Sequence, residues 1–153
     1  MRKISKSKFA IVVTFLLALA CLAGVIGLAV KLDRQTTTTT LGGEAYSIGM
    51  IDETGAYKES TASIYTRKGI SVEGLKCELQ DEAKIKYQLF YYDKDGKFVS
   101  ASSVFESDFD GSSVPEKAEL VKIVITPTAD EDSKVSFTEI YGYAGQLTVT
   151  YNR

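Results

Sequence analysis

Tyr91-Tyr92-Asp93-Lys94-Asp95-Gly96-Lys97-Phe98-Val99-Ser100, YYDKDGKFVS, is the stretch that admits two different architectures. An Asp-Gly pair flanked by alternating apolar residues is a strong hairpin signal, because a type I′ turn needs φ > 0 at both central positions. The same carboxylates also suit a calcium loop, and Asp108-Phe109-Asp110-Gly111 repeats the D-x-D-G order. Calcium takes six to eight oxygens, and the EF-hand series that supplies them has a third acidic position and a distal glutamate, both missing here. The hairpin is therefore the leading reading. A structural calcium on Asp93, Asp95, Asp108 and Asp110 is the minority one, and no other cofactor is expected. Asp130-Glu131-Asp132, a third acidic cluster, reads as solvated acid.

Outward from the turn, the apolar period is near two. Ile85, Tyr87, Leu89 and Tyr91 share one strand face, with Lys84, Lys86 and Gln88 on the other, and Phe98 to Val104 supplies the partner strand. Leu120 to Ile125 is almost unbroken apolar, the pattern of a central strand covered on both faces. Ala45–Met50, Ala62–Thr66, Ile70–Val72, Leu75–Leu79, Val135–Tyr141 and Gln146–Tyr151 complete the predicted strands. Pro115 to Glu119 is expected to form one helical turn. About eight or nine strands in a domain of this size suit two packed antiparallel sheets, a jelly-roll-like β-sandwich.

The N-terminus has a different composition. Residues 1–8 hold Arg2, Lys3, Lys6 and Lys8 and no acid, and residues 9–30 are uncharged and apolar throughout. A helix of that length rises about 33 Å, enough to cross a hydrocarbon core of about 30 Å. A retained transmembrane anchor is the leading reading. A cleaved signal peptide, or a lipoprotein site at Cys21 after Ala18-Leu19-Ala20, are the alternatives. The positive-inside rule leaves 1–8 in the cytoplasm and everything after Val30 outside. Residues 31–43, with Thr36 to Thr40 and Gly42-Gly43, read as an extended, solvated Thr/Gly linker, and 44–153 as the extracytoplasmic domain.

That domain carries 12 Lys+Arg against 19 Asp+Glu, which disfavours nucleic acid as a partner. The chain has no His, so His-based triads and zinc sites are excluded, and the domain reads as non-catalytic. Cys77 is its one cysteine and reads as a structural thiol, in keeping with a bacterial cell envelope. Nine Tyr and five Phe exceed what one core needs, so some rings should reach the surface. Tyr65, Arg67, Tyr92, Phe105 and Phe109 form the candidate ligand-binding set. In the competing reading, Tyr65 and Tyr92 pack inside and Arg67 pairs with a surface acid.

Two segments, Ser63-Ile64-Tyr65-Thr66-Arg67-Lys68-Gly69-Ile70-Ser71-Val72-Glu73-Gly74 and Phe90 to Ser100, resemble paired stretches of bacterial and phage surface β-sandwiches. Ala118 to Ile125 resembles a later strand of the same domains, with Lys122 where Arg is usual. These domains are similar to galactose-binding-like jelly rolls and carbohydrate-binding modules. The resemblance spans about Tyr46 to Tyr151. It implies a membrane-anchored binding module for glycan or cell-wall polymer; the alternative is an envelope assembly protein that engages another protein through its sheet surface. The lack of Trp, and of any Asn before Asn152, departs from the usual sugar-site composition.

Overall fold

The structure is a computed structural model that describes residues 36–128 and 134–152. The basic segment 1–8, the expected anchor 9–30, residues 31–35 and the cluster Asp130-Glu131-Asp132 lie outside the described residues. Among the described residues, no helix is long and apolar enough to cross a membrane. They belong to one compact unit, Thr36–Arg153.

Its strands are β1 (Thr36–Thr40), β2 (Tyr46–Ile48), β3 (Met50–Ile51), β4 (Tyr57–Lys58), β5 (Ile64–Thr66) and β6 (Ile70–Ser71). They continue with β7 (Lys76–Leu79), β8 (Ile85–Tyr92), β9 (Phe98–Phe105), β10 (Leu120–Pro127) and β11 (Leu147–Asn152). One short helix, α1 (Ile140–Ala144), precedes β11. Every strand pair is antiparallel, as the period-two pattern predicts. The larger sheet runs β2-β5-β10-β8-β9, with β6 also on β10. The smaller sheet runs β1-β11-β7, and β3-β4 is a separate hairpin.

Alternation places the core. Tyr87, Leu89 and Tyr91 of β8 and Val121, Ile123 and Ile125 of β10 meet Cys77 of β7 and Leu147 and Val149 of β11 in one buried cluster. The two sheets thus share a core, which fits a β-sandwich. Intervening residues Phe90, Tyr92 and Val124 form a second cluster with Ile51. There the β3–β4 hairpin lies over the opposite face of the larger sheet. Tyr92 Oη donates to Gly55 O at 2.7 Å and fastens the hairpin down. Coverage on both faces explains the continuous apolar runs of β8 and β10.

The opening stretch is a hairpin, but not of type I′. The Gly96 N–H donates to Asp93 O at 3.0 Å and the Asp93 N–H to Lys97 O at 2.9 Å. Gly96 has φ 76°, whereas Lys94 and Asp95 keep negative φ. This is a type I turn followed by a left-handed glycine, a three-residue hairpin loop with a bulge. The selector is Asp93, whose Oδ1 accepts from the Asp95 and Lys97 N–H groups, both at 2.9 Å. Asp52-Glu53-Thr54-Gly55 builds the same loop between β3 and β4, with Asp52 Oδ1 accepting from Thr54 and Ala56.

Three other expectations change. Thr36 to Thr40 is extended but not a free linker: it pairs with β11 from Thr36↔Asn152 to Thr40↔Thr148. Val135 to Tyr141 forms a turn leading into α1 rather than a strand. Pro115 to Glu119 makes one hydrogen-bonded turn, Ala118 N–H to Pro115 O at 2.9 Å, without a helix.

The core holds two polar atoms with no partner among the described residues, the hydroxyls of Tyr46 and Tyr91. An unpaired buried hydroxyl keeps its desolvation cost, so Tyr46→Phe and Tyr91→Phe should each raise stability by about 1 kcal/mol. Urea unfolding should show the midpoint moving up at constant slope; a lower midpoint would mean that the hydroxyl does bond in solution.

Candidate functional site

The strand β5 turns Ile64 and Thr66 into the core and Tyr65 outward. The ladder extends one residue beyond it, since the Arg67 N–H donates to Ala45 O at 2.9 Å. The exposed Arg67 side chain then folds back, and Nη2 donates to Glu44 O. Among the described residues, no carboxylate pairs with this guanidinium. The surface ion pair that is the alternative for Arg67 is thus absent among the described residues.

Beside Arg67 lie two rings that the sequence reading missed. Ser136-Phe137-Thr138-Glu139 is a turn closed by its last side chain: Glu139 Oε2 accepts from the Ser136 N–H at 2.8 Å and from Ser136 Oγ at 2.6 Å. Those bonds hold the Glu139 carboxyl below its ordinary range, the hydroxyl donor contributing most. The locked turn displays Phe137, 79 % exposed. One turn later α1 buries Ile140 and Ala144 and leaves Tyr141 63 % exposed, so the two rings stand at i and i+4 on the solvent side. Tyr141 lies on Gly43 so closely that a Cβ there would sit 2.5 Å from its Cγ. One ring face is thus fixed on backbone while much of the side chain remains open. Gly43, Glu44, Ser47, Arg67, Phe137 and Tyr141 border one depression of about 340 Å³.

A larger cleft, about 620 Å³, opens between the β3–β4 hairpin and the outer sheet face. Its floor includes Phe90 and Phe98, and Asp52, Glu53, Lys58 and Gln88 lie along its rim. Phe90 is only 3 % exposed and packs on Phe98 at 6.4 Å between centroids. Of the two rings, only the half-buried Phe98 is open to this cleft.

The five residues of the candidate set do not converge. Tyr65 is half-buried against Tyr57, 5.4 Å between centroids. Tyr92 is buried beneath the β3–β4 hairpin, its ring 5.5 Å from Lys122 Nζ. Phe105 stacks on Tyr87 at 5.3 Å and meets Phe109 at a tilt, also 5.3 Å between centroids, and Phe109 is buried. Exposure is thus corrected for Tyr92, which the β3–β4 hairpin covers, and for Phe109, whose own segment pairs with β7 and places the ring in the core. Arg67 alone of the five borders the depression.

The acidic loops engage backbone. Asp93 closes its own hairpin, and Asp95 sits at the exposed tip. Asp108 Oδ1 accepts from the Leu79 N–H at 2.9 Å, and Asp110 Oδ1 from the Ser112 N–H at 2.9 Å. Among the described residues, no group of three or more His, Cys, Asp or Glu is placed to hold a metal ion. Cys77 is fully buried and burial pushes its thiol up to about 12, which keeps the thiolate form scarce.

Taken together, the described residues form an antiparallel β domain with an exposed ring-and-guanidinium depression. No family model matches the chain, and no curated protein or solved structure matches it.

Proposed function

We propose that the protein is a non-catalytic glycan-binding module, anchored through residues 9–30 and displayed outside a bacterial membrane. The observation that carries this reading is the pair of open rings, Phe137 and Tyr141, on locked backbone beside Arg67. Sugar rings present flat C–H faces that pack on aromatic rings, while their hydroxyls accept from donors such as a guanidinium. Rigid presentation lowers the entropy lost on binding. The resemblance to carbohydrate-binding modules points the same way, and with it we read the two sheets as a jelly-roll-like sandwich. Edge-to-edge assembly through β9 is disfavoured: this uncharged edge strand has two register shifts against β8, and such bulges twist an edge away from pairing.

The test is binding of the full chain, in detergent, to a panel of polysaccharides and purified cell wall. Phe137→Ala and Tyr141→Ala should each weaken the polymer that binds by about tenfold, or about 1.4 kcal/mol, with the melting temperature unchanged for Phe137→Ala and slightly lowered for Tyr141→Ala, which loses its packing on Gly43. Full affinity in the double variant, or no polysaccharide bound by the wild type, overturns the reading.

A further inference from the structure

We infer that the polymer bound in this depression is anionic, its carboxylate or phosphate gripped by Arg67. The inference rests on the glycan reading and specifies its ligand class. Arg67 is a permanent cation whose five N–H donors fit a planar carboxylate or a phosphate in fork geometry. One of its nitrogens is committed to Glu44 O, which fixes the guanidinium in place, and no carboxylate among the described residues neutralises it. Two acids flank the site, and of them Glu44 borders the depression. The Glu44 carboxylate folds back over Gly42, and that of Glu139 is held by Ser136. Lys68 adds a second cation on the adjoining hollow of about 390 Å³, which Arg67 also borders. In a domain where acids outnumber bases 19 to 12, the depression and the adjoining hollow are bordered together by two cations, Arg67 and Lys68, and one acid, Glu44. A saccharide that stacks on the rings and carries an acidic substituent meets both features at once.

The full chain in detergent is titrated with three probes: oligogalacturonate, the same oligosaccharide after carboxyl reduction, and poly(glycerol phosphate). The expected result is at least tenfold tighter binding of an anionic probe than of the reduced, neutral one, with the preference shrinking as salt is raised. Arg67→Gln should erase the preference, weakening the anionic probe far more than the neutral one, which loses only a hydroxyl-to-guanidinium bond; Arg67→Lys should keep part of the preference. Preference for oligogalacturonate identifies a carboxylate, and preference for the phosphate polymer identifies a phosphate. Equal affinity for charged and neutral probes, with both still lost in Phe137→Ala/Tyr141→Ala, overturns the anion inference alone. A preference that survives Arg67→Gln overturns the role of Arg67. Binding of no saccharide by the wild type fells the glycan reading itself.

Discussion

Gly111→Ala should destabilise the domain by about 3 kcal/mol, a large share of the 5–15 kcal/mol that holds an ordinary domain together. Two effects add. Gly111 has φ 86°, where an L-residue costs about 1–2 kcal/mol. A Cβ there would also lie 2.6 Å from the backbone oxygen of Leu75, and backbone cannot rotate aside. Relieving that overlap should cost about 1–3 kcal/mol more. The contact exists because the segment around Asp108-Phe109-Asp110-Gly111 is laid along the outer edge of β7. Phe109 and Cys77 exchange both backbone hydrogen bonds, at 2.8 and 2.9 Å, and Asp108 takes up the Leu79 N–H. The second D-x-D-G motif thus covers a sheet edge. Gly96→Ala is the control, because Gly96 has φ 76° and a Cβ there would meet nothing within 4 Å. It should lose only the conformational part, about 1 kcal/mol. Equal losses in urea denaturation would show that the Leu75 contact is relaxed in solution.

Thr66→Val is the second large effect, and propensity alone gives the wrong sign for it. Val favours strands and is more apolar, and Thr66 is 1 % exposed, so the change looks harmless. The hydroxyl, however, accepts the Ile123 N–H at 3.0 Å. β10 pairs with β5 at Val124 and Ile125 and with β6 at Val121 and Leu120, and the break between β5 and β6 faces Ile123. Thr66 bridges that break with its side chain. Removing the oxygen leaves a buried N–H unpaired, at about 2 kcal/mol. Thr66→Ser keeps the acceptor and deletes one methyl, so it should cost about 1 kcal/mol. A Val variant as stable as wild type would exclude the bridge.

The strongest strands were legible because their signals are local. Alternation from Ile85 to Tyr91, the Asp93-Gly96 turn and the apolar run of Leu120 to Ile125 each specify their own conformation, and β8, β9 and β10 follow. What escaped depends on distant partners or on competing local signals. Five threonines carry no alternation, and the strand that orders them, β11, lies at the other end of the chain. Val135 to Tyr141 is rich in strand-forming types, yet Ser136-x-x-Glu139 with rings at 137 and 141 is a helix-entry pattern. Of the site, Arg67 was legible as a fork-shaped donor. Its neighbours Phe137 and Tyr141 were not, since α1 reaches Gly43 only through the tertiary fold. Tyr92 looked exposed because the residues that cover it, around Ile51 and Gly55, come from a hairpin much earlier in sequence.

The pairing of β1 with β11 also sets how the domain would carry a load. Thr36 faces Asn152, so the first and last described residues sit side by side. Tension that parts those two ends peels the ladder one rung after another, the weak direction for a strand pair. The depression lies beyond the other end of β1, past Thr40 at Gly43. A polymer dragging on Tyr141 and Arg67 against a hold at Thr36 would instead pull along the strand and strain every rung together. Tension between Thr36 and Asn152 would load this ladder one rung at a time, whereas a pull between Thr36 and the depression would load its rungs together.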